Sequence, residues 1–253
     1  MAAIPRALRD FFGEHPRLAL AFSGGADSAY LLYAATACGC DAAAYCVKSA
    51  FQPGFELDDA RRLAASLGAG LRVIEADVLA DPDVRANPKN RCYYCKRQIF
   101  SKIIERAKAE GYDVVVDGTN ASDDLNDRPG ARALEELGVL SPLRLCGITK
   151  DELRGYSREA GLFTWDKPAY ACLATRVPAG TPIDLDTLAR VERAEAALFA
   201  LGFTDFRCRV FHGAARLQFP AAQVEEAARR RGELRSALAP WFDVILMDTE
   251  DRG

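Results

Sequence analysis

The chain has 253 residues, 49% of them hydrophobic and 27% charged, with a formal net charge of −3. That is length enough for one large α/β domain and a smaller second one. The near-neutral balance, with no basic face, argues against a dedicated nucleic-acid binder, and no apolar run reaches the roughly 18 residues of a membrane span.

In chain order, the opening Met1-Ala-Ala-Ile-Pro-Arg lacks the apolar core of a signal peptide, so a cytoplasmic location is expected. Strands are predicted over 18–22, 41–47, 71–76 and 112–116, and helices over 26–37, 57–67 and 94–109. Such alternation predicts βαβ crossovers, hence an α/β fold with a parallel twisted sheet and helices on both faces. Ligands bind such sheets at the carboxyl ends of the strands, where Ser23, Lys48 and Asp117 fall. Thr149 and Glu152 have the spacing of a capping box and predict a helix running to about residue 159. A Pro/Gly-rich passage follows, and then a helix over 185–200 and a hairpin of 206–211 with 215–219, turned at His212-Gly213. A helix over 221–238 and a strand over 243–247 end the series; Arg229, Arg230 and Arg231 alternate there with Glu225, Glu226 and Glu233 and read as a solvated face. The expected domains are 1–168, a hinge at 169–182 carrying Cys172, and a small C-terminal α+β domain at 183–253.

Ser23-Gly24-Gly25-Ala26-Asp27-Ser28 separates the first strand from the first long helix. Backbone N–H groups at a helix N-terminus and the positive end of its dipole together bind phosphate. The glycines let the backbone close on an anion without a Cβ in the way, and the serines add hydroxyl donors. A carboxylate at Asp27 would repel phosphate unless it held Mg²⁺ or faced away. The stretch is neither a Walker A loop, because no Gly-Lys-Ser/Thr follows, nor a G-x-G-x-x-G turn. It resembles the SGGxDS loop of the PP-loop ATP pyrophosphatases, which implies ATP cleavage between the α and β phosphates.

There are eight cysteines and only two histidines, His15 and His212. Disulfides are not expected in a reducing compartment. Cys92-Tyr93-Tyr94-Cys95 opens a helix beside Arg91, Lys96 and Arg97, surroundings that favour thiolate. Taken alone, the pair fits a zinc half-site, a redox pair, part of a cluster site or chance. Cys172 is a third candidate, in the Ala171-Cys-Leu-Ala-Thr-Arg176 stretch; three thiolates would suit an iron–sulfur cluster with one open iron, and a buried loop thiol is the alternative. Cys38, Cys40, Cys46, Cys146 and Cys208 lie within apolar patterns and read as packing residues. Trp165 likewise reads as a core aromatic.

Over nearly its whole length the chain resembles the LarE family of ATP-dependent sulfur transferases. The segments that carry the resemblance are Ser23–Ser28, 90–96, 117–120, 127–130, 141–143, Thr164-Trp-Asp-Lys-Pro168, 171–176, Gly180-Thr181 and Arg207-x-Arg209. The SGGxDS loop is widely shared; Trp-Asp-Lys-Pro and Cys-Leu-Ala-Thr-Arg are far more particular. Two departures stand out: Ala179 replaces a common aromatic, and some members continue past the position of Asp248 with a Gly/Arg-rich tail.

The resemblance implies that carboxylates of pyridinium-3,5-biscarboxylic acid mononucleotide are adenylated with release of pyrophosphate and converted to thiocarboxylates for a nickel-pincer cofactor. ATP and Mg²⁺ are then the expected small-molecule requirements, with Ser23, Gly24, Gly25, Asp27, Ser28, Lys48, Gly118 and Arg128 as the nucleotide set and Asp27 on the metal. One kind of member sacrifices the sulfur of a single cysteine; the other holds a [4Fe–4S] cluster on three. Cys92, Cys95 and Cys172 imply the cluster kind. Arg176, Arg207 and Arg209 are candidates for the substrate's anionic groups, their planar forks matching carboxylate and phosphate, although Arg207 and Arg209 also alternate as on any exposed strand face. Cys172, Arg176 and Glu195 are the catalytic candidates, with Glu195, like Glu192, placed to order an arginine or serve as base. A sulfide source or cysteine desulfurase and a homo-oligomeric assembly are the expected partners. Competing readings are a tRNA thiolase, which needs a basic groove, an amidating ligase of the NAD or GMP synthetase kind, and an adenine-nucleotide sensor.

Overall fold

A computed structural model describes residues 4–124, 129–250 and 252. The chain divides into two compact units, one of Met1–Val78 with Asn90–Lys167, the other of Leu79–Lys89 with Pro168–Gly253.

The first unit holds β1 (Arg17–Ala21), β2 (Asp41–Lys48), β3 (Leu71–Glu75) and β4 (Val115–Val116) in the order β3-β2-β1-β4. All three pairings are parallel. Helices α1 (Arg6–Glu14), α2 (Ala26–Ala37) and α3 (Gly54–Ser66) belong to this unit, as do α5 (Arg91–Ala109), α6 (Pro129–Glu136), α7 (Pro142–Leu145) and α8 (Lys150–Glu159); α4 (Pro82–Arg85) belongs to the second. Successive side chains on a strand point to opposite faces, and here both faces are covered. Leu18, Leu20, Ala44 and Cys46 pack with α1, α2, α3 and α8. Ala19, Ala43 and Tyr45 pack with α5 and α6. This double burial is why β1 and β2 read as continuous apolar runs rather than alternating ones.

The predicted strand over 112–116 is cut to Val115–Val116. Gly111, at φ 80°, turns the chain out of α5, and the Tyr112 N–H is spent on the Ala107 carbonyl, closing that helix. Beyond β4, a parallel bridge between Val116 and Leu140 carries the sheet one residue further. The helix predicted over 94–109 starts earlier, at Arg91, and so takes in Cys92.

In the second unit, α9 (Leu185–Ala200) buries Leu188, Val191, Ala194 and Leu198, a helical spacing. The hairpin is β5 (Arg207–Phe211) with β6 (Ala214–Gln218), turned by His212 and Gly213, both at positive φ as a two-residue hairpin requires. β7 (Ile245–Met247) adds parallel to β6. The helix predicted over 221–238 is two, α10 (Ala221–Arg229) and α11 (Arg231–Leu238), broken at Arg230, whose φ and ψ are −92° and 17°. Residues 79–89, read from sequence with the nucleotide domain, group with this unit. Their anchor is Asn87, 1% exposed, whose Nδ2 donates to the carbonyls of Val177, Pro178 and Thr181. No helix among the described residues is long and apolar enough to cross a membrane.

Candidate functional site

In a sheet ordered β3-β2-β1-β4 the chain reverses direction across β1, leaving a crevice at the carboxyl ends of β1 and β4. Ser23–Ser28 leaves β1 there, and Asp117 and Gly118 leave β4. The two meet closely: a Cβ on Gly118 would lie 3.0 Å from Ser28 N and 3.2 Å from Asp27 Cβ. Gly24, at φ 75°, lets the loop backbone press on α3, where a Cβ would be 3.0 Å from Ala60. Gly25 caps α2 without a side-chain hydrogen bond, so no side chain closes that helix's first turn. Ser23 Oγ and Ser28 Oγ are 3.2 Å apart, the Gly25 N–H points at Ser23 Oγ at 3.4 Å, and Ser28 Oγ donates to the Gly25 carbonyl at 3.2 Å. This is a helix-start cradle for an anion.

The Asp27 carboxylate, in the first turn of α2, is met by one cation and one amide donor. Lys150 Nζ lies 2.6 Å from its Oδ2 and Asn120 Nδ2 donates to its Oδ1 at 3.0 Å. With both oxygens engaged, a Mg²⁺ ligated by Asp27 would displace the Lys150 ammonium. The Asp117 carboxylate, 6% exposed, accepts from the Thr119 N–H and from Ser141 Oγ at 2.6 Å, which fixes the loop after β4. Lys48 ends β2, and its ammonium donates to the Gln52 carbonyl. Arg128 lies outside the described residues. Sequence reasoning missed Asn120 and Lys150 as partners of Asp27; Lys150 was visible only as the residue after a helix cap.

Cys92 and Cys95 are one turn apart on α5, hence on one face, Cys92 exposed and Cys95 half-buried. Arg91, 7% exposed, donates to Cys92 Sγ at 3.8 Å. Cys92, Lys96, Thr119, Ser141 and Arg144 share the wall of a cavity of about 1140 Å³ with Leu134 and Leu140. All eight cysteines are thiols, none of them in a disulfide. Burial raises the pKa of Cys38, Cys46, Cys146 and Cys208, and takes Cys40 to about 11, so these five are poor thiolate donors. Among the described residues of either unit, no three His, Cys, Asp or Glu side chains gather as a metal-holding group.

In the second unit Cys172 precedes a single 3₁₀ turn, Leu173–Arg176, and its carbonyl accepts from Thr175 N and Oγ1. Arg176 is fully buried; its Nε and Nη2 donate to the two oxygens of Glu195 at 2.7 and 3.0 Å, and Nη1 to the Ala171 carbonyl and Thr175 Oγ1. Glu195, 1% exposed, also accepts from the Cys208 N–H at 2.9 Å and from the Tyr170 hydroxyl. Of the two readings of Glu195, ordering an arginine or serving as base, the geometry shows the first, with both oxygens engaged; Arg176, the candidate for substrate, is fully buried and its donors are spent within the protein. Burial works against the Arg176 charge, but Glu195 outweighs it, with Tyr170 and Cys172 adding, and the guanidinium's pKa lies above its usual value.

Arg207 and Arg209 are placed differently. Arg207, 6% exposed, donates to the carbonyls of Phe206 and Ala169 and has the Asp205 carboxylate at 3.9 Å. Arg209, half-buried, donates to Gln218 Oε1 and, at 2.7 Å, to the Thr175 carbonyl. Burial and the neighbouring Arg176 lower both of their pKa values, against the opposing pull of Glu195. The sequence left open whether this strand face was merely solvated; the structure places it against the Cys172 turn.

No family model matches the chain. It is 40% identical over 221 residues to an uncharacterized protein of Synechocystis sp., covering 87% of this chain and 82% of that one. An uncharacterized protein of Methanocaldococcus jannaschii is 31% identical over 188 residues, 73% of this chain and 70% of its own. The pyridinium-3,5-bisthiocarboxylic acid mononucleotide synthase of Lactiplantibacillus plantarum is 33% identical over 225 residues, 88% of this chain and 80% of that enzyme. With that identity over that coverage, on a parallel α/β sheet, the chain belongs to the LarE family of that synthase.

Proposed function

We propose that the protein is an ATP-dependent sulfur transferase that converts carboxylates of pyridinium-3,5-biscarboxylic acid mononucleotide to thiocarboxylates, a step of nickel-pincer cofactor assembly. The kinship to the L. plantarum synthase carries the reading, and the loop at the carboxyl end of β1 supports its nucleotide half. A carboxylate is a poor electrophile, because its charge repels nucleophiles and oxide does not leave. Attack of a carboxylate oxygen on the α-phosphorus of ATP forms an acyl adenylate and expels pyrophosphate. Ser23, Gly24, Gly25, Ser28 and the first amides of α2 hold the departing phosphates, with Lys48, Gly118 and Arg128 completing the nucleotide set and Asp27 taking Mg²⁺. Arg207 and Arg209, cations beside the Cys172 turn, hold the substrate's anionic groups. Arg176 and Glu195 position these arginines and the Cys172 turn rather than reacting themselves. A sulfur nucleophile then displaces AMP.

The sulfur source separates two versions of this function. Cys92, Cys95 and Cys172 are the cysteines that the family resemblance implicates, and three thiolates are the donor class of a [4Fe–4S] cluster with one open iron. When bound, such a cluster would supply an extra sulfide as the donated atom. In the second version the Cys172 thiolate displaces AMP to form a thioester, and loss of its Cα proton to a base with cleavage of the Cβ–Sγ bond leaves sulfur on the product and dehydroalanine in the chain. A soluble homo-oligomer in the cytoplasm, fed by a sulfide source or cysteine desulfurase, fits either version.

Protein purified without oxygen is assayed for pyrophosphate release and thiocarboxylate formation with the biscarboxylate nucleotide, and for iron and acid-labile sulfide beside Cys92→Ala. Pyrophosphate that depends on the substrate, with sulfur in the product, supports the transferase. Iron and sulfide lost in Cys92→Ala support the cluster version. Protein that stays iron-free after reconstitution and emerges from turnover with Cys172 lighter by H₂S supports the sacrificial version. No substrate-dependent pyrophosphate in any preparation would sink the proposal.

A further inference from the structure

Asp27 carries a negative charge in the first turn of α2, beside the backbone groups that would receive phosphate. The chain supplies its own answer to that charge. Lys150 Nζ sits on Oδ2 at 2.6 Å, with Lys150 30% and Asp27 28% exposed, so solvent reaches the pair. Lys150 is the first residue of α8, the end of a helix where its dipole disfavours a cation; Asp151 and Glu152, which follow, have the sign that suits this end. A lysine placed there needs another reason, and Asp27 is the partner it reaches. Its main chain cannot drift. The Lys150 N–H donates to Ser122 Oγ at 2.9 Å, and the Thr149–Glu152 capping box fixes the residue before it. Asn120, 3% exposed, holds the other oxygen of the carboxylate from the loop after β4. The side chain alone is left to move.

Resting on the nucleotide reading above, we propose that Lys150 is a positioning residue of the phosphate site, the internal counter-cation of its loop. It neutralises Asp27 from within the chain, so that a polyphosphate can enter whether or not a divalent cation accompanies it. Lys150 and the divalent cation are then alternatives at one carboxylate. With Lys150 removed, the bare Asp27 charge opposes a metal-free triphosphate at the neighbouring loop, and a divalent cation cancels the penalty.

The test is calorimetric titration of ATP into wild type, Lys150→Gln, Lys150→Arg and the Asp27→Asn/Lys150→Gln double variant, each in EDTA and in excess Mg²⁺. Lys150→Gln is expected to lose about tenfold or more in affinity in EDTA and less than about threefold in Mg²⁺. Lys150→Arg keeps the EDTA affinity, and the double variant regains it because the charge needing neutralisation is gone. Equal EDTA affinities for wild type and Lys150→Gln would overturn the inference, as would an equal loss in both buffers. Should Lys150→Gln fail to fold, Lys150→Arg and the double variant still decide it: loss of EDTA binding in Lys150→Arg refutes the charge role. Wild type that binds ATP in neither buffer refutes the nucleotide reading instead.

Discussion

At the scale of single residues, the buried arginine–glutamate pair matters most for telling structure from chemistry. Arg176 and Glu195 are among the most buried charged side chains in the protein, and each satisfies the other. Breaking such a pair from one side strands a charge in a dry interior. Glu195→Ala is therefore expected to destabilise the fold by about 3–5 kcal/mol, read from urea unfolding. Replacing both, Arg176→Met with Glu195→Leu, should recover part of that, since an apolar pair of similar volume carries no desolvation cost; the Cys208 N–H and Tyr170 hydroxyl still lose their acceptor. A Glu195→Ala protein as stable as wild type would return the residue to the list of reactive groups. Asn87 poses a similar question in backbone form. At φ 53° it occupies a left-handed conformation that asparagine tolerates better than alanine, and its amide serves three carbonyls. Asn87→Ala should cost about 1–3 kcal/mol by the same measurement.

At the scale of elements, the proposed nucleotide loop depends on how closely two loops can approach. Gly118→Ala would drive a methyl to 3.0 Å from the Ser28 amide, which is backbone and cannot turn aside. We expect the first turn of α2 to shift, with ATP affinity falling about tenfold or more while the melting temperature moves little. Gly39→Ala, at positive φ but in open space, is the contrast: it should cost stability by strain and leave ATP binding alone. Much of this arrangement could be read in the sequence. β1 and β2 are apolar on both faces and so visible as runs, the Thr149 cap spells its own helix start, and His212-Gly213 dictates a two-residue turn. What the sequence hid is long-range partnership. Lys150 and Asp27 meet 123 residues apart, and neither a lysine after a helix cap nor an aspartate after two glycines announces the other. Glu195 looked like a possible base because acidity is visible in a sequence whereas its four donors are not. The tie of residues 79–89 to the second unit rests on the Asn87 amide and on backbone bonds from Gly180 to Asn87 and from Ile183 to Arg85, and the break at Arg230 on a local backbone angle that helical periodicity does not register.

At the scale of the whole molecule, stability should depend on pH through groups whose folded environment favours one protonation state. Glu110, the residue closing α5, accepts from Arg106 on its own helix, Arg72 of β3 and the Tyr45 hydroxyl of β2, so one carboxylate joins three elements. The Arg106 hydrogen bond is the largest cause, with those from Arg72 and Tyr45 adding against burial, and together they hold Glu110 at about 2 against an ordinary 4.5. A depressed carboxylate stabilises the fold fully above its unfolded pKa and gives that up as pH falls through the folded one, here from about 4.5 to about 2. Glu136, Glu152, Glu233, Asp184 and Asp248 are shifted the same way and steepen the same limb. Buried thiols act at the other end. Cys40, raised to about 11 from 9 chiefly by burial, stabilises the fold below pH 9 and ceases to as pH rises toward 11. Urea midpoints should thus be flat between these limbs and fall on both sides. Glu110→Gln should lower the neutral plateau and flatten the acid limb. Cys40→Ser, whose hydroxyl can still donate to the His15 carbonyl but does not titrate, should flatten the alkaline one. An acid limb of unchanged slope in Glu110→Gln would mean that the join between α5, β2 and β3 stands on packing alone.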